Sequence, residues 1–456
     1  MITNIKKSIA ITFAATSIWG CSMNSEMIEP TSSKTTDLAV TKSVSTYTTT
    51  QAIKDQVIIQ FTDPNMTSET KYQLREKYKL EYRFDIIDIE TCDCDNDNLE
   101  LWTIQALPGF LGVENLVTNL PGQTSDDDVD GDLMHRIVIL NNSANLNSHI
   151  NTISDKVVPE NSNDAITVAI LDTGVDYDYF PGRFLYNSNA DMNCENEISG
   201  WDFVNKDNDP RDDHGHGTYV AHIITKRLAY LGIPYQILPI KAFDKNGRGN
   251  YWSVLCALNY LSKKPGKFVV NMSFGYYDFP NQTILKRTMD SMRDNALLIS
   301  SAGNEGLDTD RSGSEHFPSG FDSDNMVTVG GCINDPLVYP HIDPYGNVYG
   351  LIKSPDSNYG RQSIDVMAHF DQYNIELVAT DSSHIIYDTI KGTSFSNAYV
   401  TARAAELMYQ GVITPVLLKD AVIRSGYRSS ATSTYTRTGR IILHEVSNGS
   451  GPVLHN

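Results

Sequence analysis

Positive charge is scarce in this chain of 456 residues: 36 Lys and Arg stand against 56 Asp and Glu, a formal net charge of −20. A deficit of that size argues against a nucleic-acid backbone or an anionic membrane surface as the main partner, since both attract cations. Acid-rich surface is ordinarily just solvated, so the charge excludes classes without naming one. Cysteine is sparse too, six in all; apart from Cys21 there are Cys92, Cys94, Cys194, Cys256 and Cys332, odd in number and scattered in spacing. No disulfide framework can be read from them. Cys92 and Cys94 in ETCDCDND form an isolated C-x-C without the second ligand pair that zinc needs, and they read as loop residues. The acidic segment PGQTSDDDVDGD lacks the glycine-then-glutamate spacing of an EF-hand loop and reads as a solvated connection. No internal repeat is visible. With 40% apolar residues the chain has enough for ordinary cores, and its length suits one large domain plus a smaller one.

What is present begins with Lys6 and Lys7 before SIAITFAATSIWG, an apolar stretch too short to span a membrane as a mature helix. Residues 1–20 therefore read as a secretory signal. Gly20 before Cys21 resembles the lipobox of bacterial lipoproteins, whose cysteine is acylated. That resemblance implies export, a lipid anchor on Cys21 as the only membrane attachment, and a place in the cell envelope of a bacterium. The competing reading is plain signal cleavage with Cys21 as a leftover thiol. Residues 21–50 are polar, Ser/Thr-rich and without period, a flexible tether.

Over residues 51–145 the segments VIIQF, TSETKYQLREKYK, LEYRFDII, LELWTIQA, GVENLVTNL and HRIVIL predict the order β-α-β-β-α-β, a small ferredoxin-like α+β domain. From 146 to 456 the rhythm changes. AITVAIL, YQILPIKAF, KFVVNMSF, NALLISSAG and NMVTVGGC are short β-branched runs bounded by turn residues, and helical patterns fall between them, as in GTYVAHIITKRLAYL and SFSNAYVTARAAELMYQ. That alternation predicts a doubly wound, mostly parallel α/β sheet covered on both faces. Ligands of such sheets sit beyond the carboxyl ends of the strands, where Asp172, Asn271 and Asn304 fall.

The stretch VAILDTGVDYD stops an apolar run on Asp172. A carboxylate at D-T-G serves either an aspartic-protease pair or a Ser/His/Asp triad. The pair needs a second D-T-G or D-S-G from an all-β lobe, and none follows. Instead RDDHGHGTYVAH brings His214 and His216 to a turn that opens a helix, and KGTSFSNAYV brings Ser394 to another. Asp, then His, then Ser is one chain order of the triad. Either histidine of H-G-H can be the base, H-x-H can also be two metal ligands, and Ser394 can be a mere helix cap.

D-T-G after a strand, H-G-T opening a helix, N-M-S-F-G, A-G-N-E-G and G-T-S stand in the order of the subtilisin-like serine proteases, and residues 165 to 445 resemble that family. The resemblance implies Ser394 as nucleophile, His216 as general base and acid, Asp172 as the carboxylate behind it, and Asn304 with the Ser394 backbone N–H as the oxyanion hole. It implies that Ser273, Phe274 and Gly275 pair with an extended peptide or protein substrate. Ala302, Gly303 and His316 would wall the first specificity pocket, and His316 stands where many relatives carry glycine, which predicts a shallow or polar pocket. Tyr219, His222, Ala398 and MAHF at 367–370 depart from the family pattern. No cofactor is required and no catalytic metal is implied; calcium is implied by the family habit, with clustered oxygens in GWDFVNKDNDPRDD. Residues 51–145 match the family's propeptide in position, which implies an intramolecular chaperone and temporary inhibitor cut off near 143–165. A lipid on Cys21 would then release the catalytic domain at that cut unless the two stay bound. Two other readings stay open: a dedicated maturation peptidase with a single partner substrate, and an inactive protease scaffold used as a binding lipoprotein, which would lack a triad member.

Overall fold

The computed structural model describes residues 50–94, 96–120, 129–139, 164–180, 182–188, 192–277, 279, 282–379, 383, 385–443, 445–447 and 452–454. The signal, most of the tether and Cys21 lie outside them. Strand β1 (Ala52–Phe61) leads into helix α1 (Ser68–Tyr82), capped by Thr67, whose side chain accepts the Thr70 N–H at 3.2 Å. The sequence pattern expects a strand from Leu80. The helix instead runs on to Tyr82 and stops at Arg83, which turns left-handed at φ 65°. After it come β2 (Phe84–Cys92), β3 (Asn96–Ala106), α2 (Val113–Asn119) and β4 (Val129–Val138), in an antiparallel sheet of order β2-β3-β1-β4.

Strand β4 takes in Val129–Asp132, which the composition assigns to a solvated acidic loop. Asp130 and Asp132 are in fact buried. Asp132 accepts the Tyr251 hydroxyl at 2.5 Å and the N–H groups of Thr283 and Ile284 at 3.0 and 2.9 Å, and Asp130 pairs with Arg287. A carboxylate over two amides at a helix start satisfies donors that the helix itself leaves open.

The remaining elements are β5 (Ile166–Asp172), β6 (Trp201–Asp202), α3 (His216–Tyr230), β7 (Tyr235–Lys241), β8 (Arg248–Asn250), α4 (Tyr251–Ser262), β9 (Phe268–Met272), β10 (Tyr276–Tyr277), α5 (Thr283–Ser291) and β11 (Ala296–Ser301). They continue with β12 (His316–Phe317), β13 (Met326–Asn334), β14 (His341–Ile342), β15 (Val348–Tyr349), β16 (Leu351–Lys353), β17 (Val366–His369), β18 (Asp371–Val378), β19 (Ile385–Lys391), α6 (Thr393–Tyr409), α7 (Pro415–Ser425), β20 (Tyr427–Arg428) and β21 (Arg440–Ile441). The main sheet runs β20-β21-β17-β13-β11-β9-β5-β7-β6 and is parallel from β21 to β6, the doubly wound α/β arrangement. Alternation along β5 explains its unbroken apolar run. Val168 and Ile170 pack with Val220 and Ile224 of α3 and Ala398 and Ala402 of α6, while Ala169 and Leu171 pack with Val254 and Leu258 of α4 and Leu285 of α5. Ile58, Trp102 and Leu133 of the amino-terminal sheet share the core of α4 and α5. Among the described residues no helix is long and apolar enough to cross a membrane.

The cysteines correct the sequence reading. Cys92, at the end of β2, is bonded to Cys256 on α4, and Cys94 is bonded to Cys194, while Cys332 is a buried free thiol. Cys92 and Cys94 are therefore cross-links, not plain loop residues. Their partners lie 164 and 100 residues downstream, a spacing that only the fold makes short.

Candidate active site

Strand β5 delivers Asp172 at its carboxyl end, and the next residues turn away sharply. Thr173 N–H closes on Asp172 Oδ1 at 2.7 Å. Gly174 sits at φ +102°, and a Cβ on Gly217 would lie 2.1 Å from the Gly174 carbonyl oxygen, so D-T-G and H-G-T need their glycines to bring strand end and helix start together. His216 opens α3 there. Its Nδ1 lies 2.7 Å from Asp172 Oδ1, and both side chains are fully buried. With Nδ1 committed to the carboxylate, proton exchange with a hydroxyl falls to Nε2.

Two groups that sequence reasoning missed hold this turn. Asp212 accepts His214 N–H and Gly215 N–H at 2.9 and 2.8 Å with one oxygen, and Thr218 N–H and Oγ1–H at 2.9 and 2.6 Å with the other, so it caps α3 from four residues upstream of His216. Lys241, buried at the end of β7, donates to Thr173 O at 2.9 Å and to Asp213 Oδ1 at 2.5 Å. A lysine inside the apolar run YQILPIKAF was the available signal. His214 Nδ1 accepts the His216 N–H at 3.3 Å, and burial lowers its pKa, so it is a neutral neighbour in the turn.

Ser394 lies in the first turn of α6, after Gly392 at φ +146°. Its hydroxyl donates to Ser273 O at 3.2 Å, and the Ser273 hydroxyl reaches Ser394 O at 3.1 Å. The ring of Phe395, the next residue, packs 5.5 Å from that of His216. Asn304 stands beside the same helix start. Its Oδ1 accepts Thr393 N–H at 2.8 Å and Thr393 Oγ1–H at 3.0 Å. An amide whose oxygen is spent this way presents its NH₂ as the donor. The fold thus gathers Asp172, His216, Ser394, Asn304 and Ser273 at one end of the parallel sheet.

A profile of the subtilase family matches residues 163–444. The chain belongs to the subtilase family. It is 28% identical over 280 residues to the thermophilic serine proteinase of Bacillus sp. (strain AK1), covering 60% of this chain and 59% of that protein. It is 25% identical over 281 residues to thermitase of Thermoactinomyces vulgaris, covering 60% of this chain and 85% of that one. Among solved structures, that of a cold adapted subtilisin-like serine proteinase matches at TM-score 0.45 and 23% identity, over 62% of this chain and 90% of the other. The chain thus spans 59% of the length of the first of these relatives.

Where this subtilase departs from its family's pattern, the residues are packed. His316 is 3% exposed, and its strand β12 pairs with β10 through Tyr277. A Cβ on Gly275 would meet the His316 ring at 2.1 Å, and one on Gly303 would meet it at 3.0 Å, so the imidazole fills the space between segments 273–275 and 302–304. Its Nδ1 is 2.6 Å from Ser319 Oγ, and burial pushes its pKa down to about 3, leaving the ring neutral. Asn358, unsuspected from sequence, pins the neighbouring loop: it donates to Ala302 O at 2.8 Å and accepts Glu305 N–H and Leu307 N–H at 3.2 and 2.8 Å. Tyr219 reaches Asp388 Oδ2 on β19 at 3.0 Å, Ala398 is fully buried, and burial pushes His222 and His369 down to about 4.

No group of three or more His, Cys, Asp or Glu is placed to hold a metal among the described residues. In the segment GWDFVNKDNDPRDD, Asp202 Oδ1 accepts Val204 N–H and Asn205 N–H, its Oδ2 accepts the Asn205 amide, and Asp212 is spent on α3. Both oxygens of Asp202 and those of Asp212 are thus already engaged by donors of the fold. The amino-terminal strand, in contrast, reaches the site. Strand β4 pairs antiparallel with β8, and Ile139 N–H continues the ladder to Gly247 O at 2.8 Å. A Cβ on Gly247 would lie 3.2 Å from both Ile139 O and His214 Nε2.

Proposed function

We propose that this subtilase is a serine endopeptidase acting through an acyl-enzyme. The observation that carries the reading is the buried 2.7 Å contact of His216 Nδ1 with Asp172 Oδ1 beside the helix start that bears Ser394. The Ser394 hydroxyl attacks the scissile carbonyl carbon while His216 Nε2 takes its proton, and the Asp172 carboxylate stabilises the imidazolium. The carbonyl oxygen becomes an anion between the Asn304 amide and the Ser394 N–H. His216 returns the proton to the leaving amine, which departs as the acyl ester forms. Water then repeats the sequence on the ester and restores the serine.

The substrate is an extended peptide lying along Ser273, Phe274 and Gly275, held by main-chain bonds that carry no sequence choice. Choice falls to the pocket between those residues and Ala302–Gly303. With His316 filling it, the enzyme prefers a small residue, glycine or alanine, on the acyl side of the cut bond. Residues 51–145 serve as propeptide and inhibitor of the catalytic domain, 146–456. The β4–β8 pairing and the Ile139 bond to Gly247 support this, since they use the backbone as a bound peptide would. The protein is exported and held at the bacterial cell envelope by a lipid on Cys21; Lys6, Lys7 and the apolar stretch after them support that location.

Labelling with a fluorophosphonate probe tests the chemistry. The wild-type chain with its amino-terminal domain removed is expected to label, and Ser394→Ala and His216→Ala are not. Equal labelling of wild type and Ser394→Ala would refute the assignment, as would no labelling of any folded form.

A further inference from the structure

Both disulfides cross the boundary between the amino-terminal sheet and the catalytic sheet. Cys92 and Cys94 belong to the β2–β3 end of the former, while Cys256 lies on α4 and Cys194 in the loop before β6. Residues 140–163 fall inside both loops, because Cys92 and Cys94 precede them and Cys194 and Cys256 follow. A peptide bond broken anywhere in that stretch therefore leaves two covalent links intact. The landing points are built rather than incidental. Glu197, fully buried, accepts Asn193 N–H at 2.9 Å and Cys194 N–H at 3.3 Å and takes the Lys264 ammonium of the α4 end at 2.7 Å, which fixes the Cys194 loop to α4. Glu90 of β2 accepts the Trp252 indole N–H of α4 at 2.8 Å and pairs with Lys206 at 2.9 Å. The four bonded cysteines are each no more than 9% exposed.

We infer that proteolytic processing between residues 139 and 164 does not release the amino-terminal domain: the processed protein is a two-chain molecule joined by Cys92–Cys256 and Cys94–Cys194. Anything attached upstream of Cys92 stays attached to the catalytic domain after the cut. Where residues 51–145 inhibit, as proposed above, the cut by itself is not activation, since a covalent tether holds the inhibitor at an effective concentration on the order of mM. Separation needs a dithiol reductant. One thiolate attacks each S–S bond and forms a mixed disulfide; the second thiol closes the reductant's own disulfide and frees the protein sulfur. Two equivalents of dithiol pass four electrons to the protein and leave thiols at Cys92, Cys94, Cys194 and Cys256. Burial of these sulfurs makes the exchange slow while the domains stay docked.

The test uses the full-length Ser394→Ala chain, made in an oxidising compartment, with one recognition sequence for a site-specific protease inserted between 140 and 163. After complete cutting, checked on a reducing gel, the sample is run in denaturant without reductant. One band is expected, resolving into two with dithiothreitol. Cys92→Ser alone and Cys94→Ser alone should still give one band, and the double variant two. Two bands from the cut parent without reductant would overturn the inference, as would a single variant that falls apart. Because the serine is absent, this result stands apart from the catalytic reading. A second measurement uses the active, cut chain on a peptide substrate. Diluting from ~1 µM to ~10 nM should leave its specific activity unchanged, and after reduction the same dilution should raise it at least about tenfold, as a freed inhibitor dissociates. Fluorophosphonate labelling that fails throughout would remove the peptidase and leave the gel result untouched.

Discussion

Replacing His316 by glycine should open the acyl-side pocket. The imidazole is 3% exposed and lies where a Cβ on Gly275 would come within 2.1 Å, so its removal leaves a ring-sized space between 273–275 and 302–304. A leucine side chain has three carbons more than alanine, and each buried carbon contributes about 0.8 kcal/mol. Filling the new space is worth about 2.4 kcal/mol, or about sixtyfold in kcat/KM. The loss to stability is of similar size, since deleting a buried ring leaves a cavity that costs about 2–5 kcal/mol, so the ratio is read on folded protein only. The 2.6 Å contact of Nδ1 with Ser319 goes, but the Ser319 hydroxyl keeps its 3.1 Å bond to the backbone oxygen of residue 316. The assay compares two peptides that differ only in alanine or leucine on the acyl side of the cut bond. Wild type should favour alanine, and His316→Gly should raise the leucine-to-alanine ratio about sixtyfold by raising the leucine value. A folded variant whose ratio moves less than about threefold would show that the substrate side chain does not enter this space, and His316 would lose its role in selecting it.

Asn304→Ala should lower kcat about 10²–10³-fold with KM little changed, a loss of about 2.7–4 kcal/mol, which is the size seen when subtilisin gives up its own oxyanion-hole amide; an unchanged kcat would place the oxyanion elsewhere. Asp172→Asn should keep the fold and lower kcat by about four orders of magnitude, because the imidazole loses the acceptor that fixes its tautomer; active-site titration against turnover checks it. Burial pushes His135 down to about 3 and Asp132 up to about 7, both on β4 against α4 and α5. Docking of the amino-terminal domain therefore loses the neutral-His135 contribution as pH falls below about 6.5, about 2 kcal/mol by pH 5, and loses the Asp132 contribution as pH rises from about 4 through about 7. The two nearly cancel. In the cut Cys92→Ser/Cys94→Ser chain, affinity should be nearly flat from pH 7 to 5, whereas His135→Phe added to it should bind about thirtyfold tighter at pH 5; parallel curves for the two would sink the assignment.

The proposed catalytic residues stood out in the sequence because each carries its own local cue. Asp172, His216 and Ser394 stand next to glycines that strand ends and helix starts require, and the order of the motifs did the rest. The sheet was legible for a similar reason, since β-branched runs such as AITVAIL encode burial on both faces. What stayed hidden is paired across sequence distance. Asp212 looks like any acid of RDDHGHG until its four bonds to the α3 start are seen. Lys241 and Asn358 act on backbone more than 50 residues away, Thr173 and Ala302 respectively. The helix that overran Leu80 was set by a single left-handed residue, Arg83, where no glycine marked the stop.

The acidic and cysteine readings failed together, and for one physical reason. Counting treats Asp130, Asp132, Cys92 and Cys94 as members of a composition, and by that measure acids face water and an odd, scattered set of thiols shows no framework. Their partners Arg287, Tyr251, Cys256 and Cys194 all lie in the catalytic half, so the signal existed only as a relation between two halves that no local window contains. Those residues mark a surface that must dock. An acid placed to cap α5 from β4 holds its two helix amides only while the two sheets stay together, and undocking exchanges those bonds for bonds to water at a net cost of about 0.5–1.5 kcal/mol each. Such bonds re-form with water as the domain leaves, whereas the disulfides yield only to a reductant. The noncovalent contacts therefore set how well the halves fit, and the two cross-links decide whether they part at all.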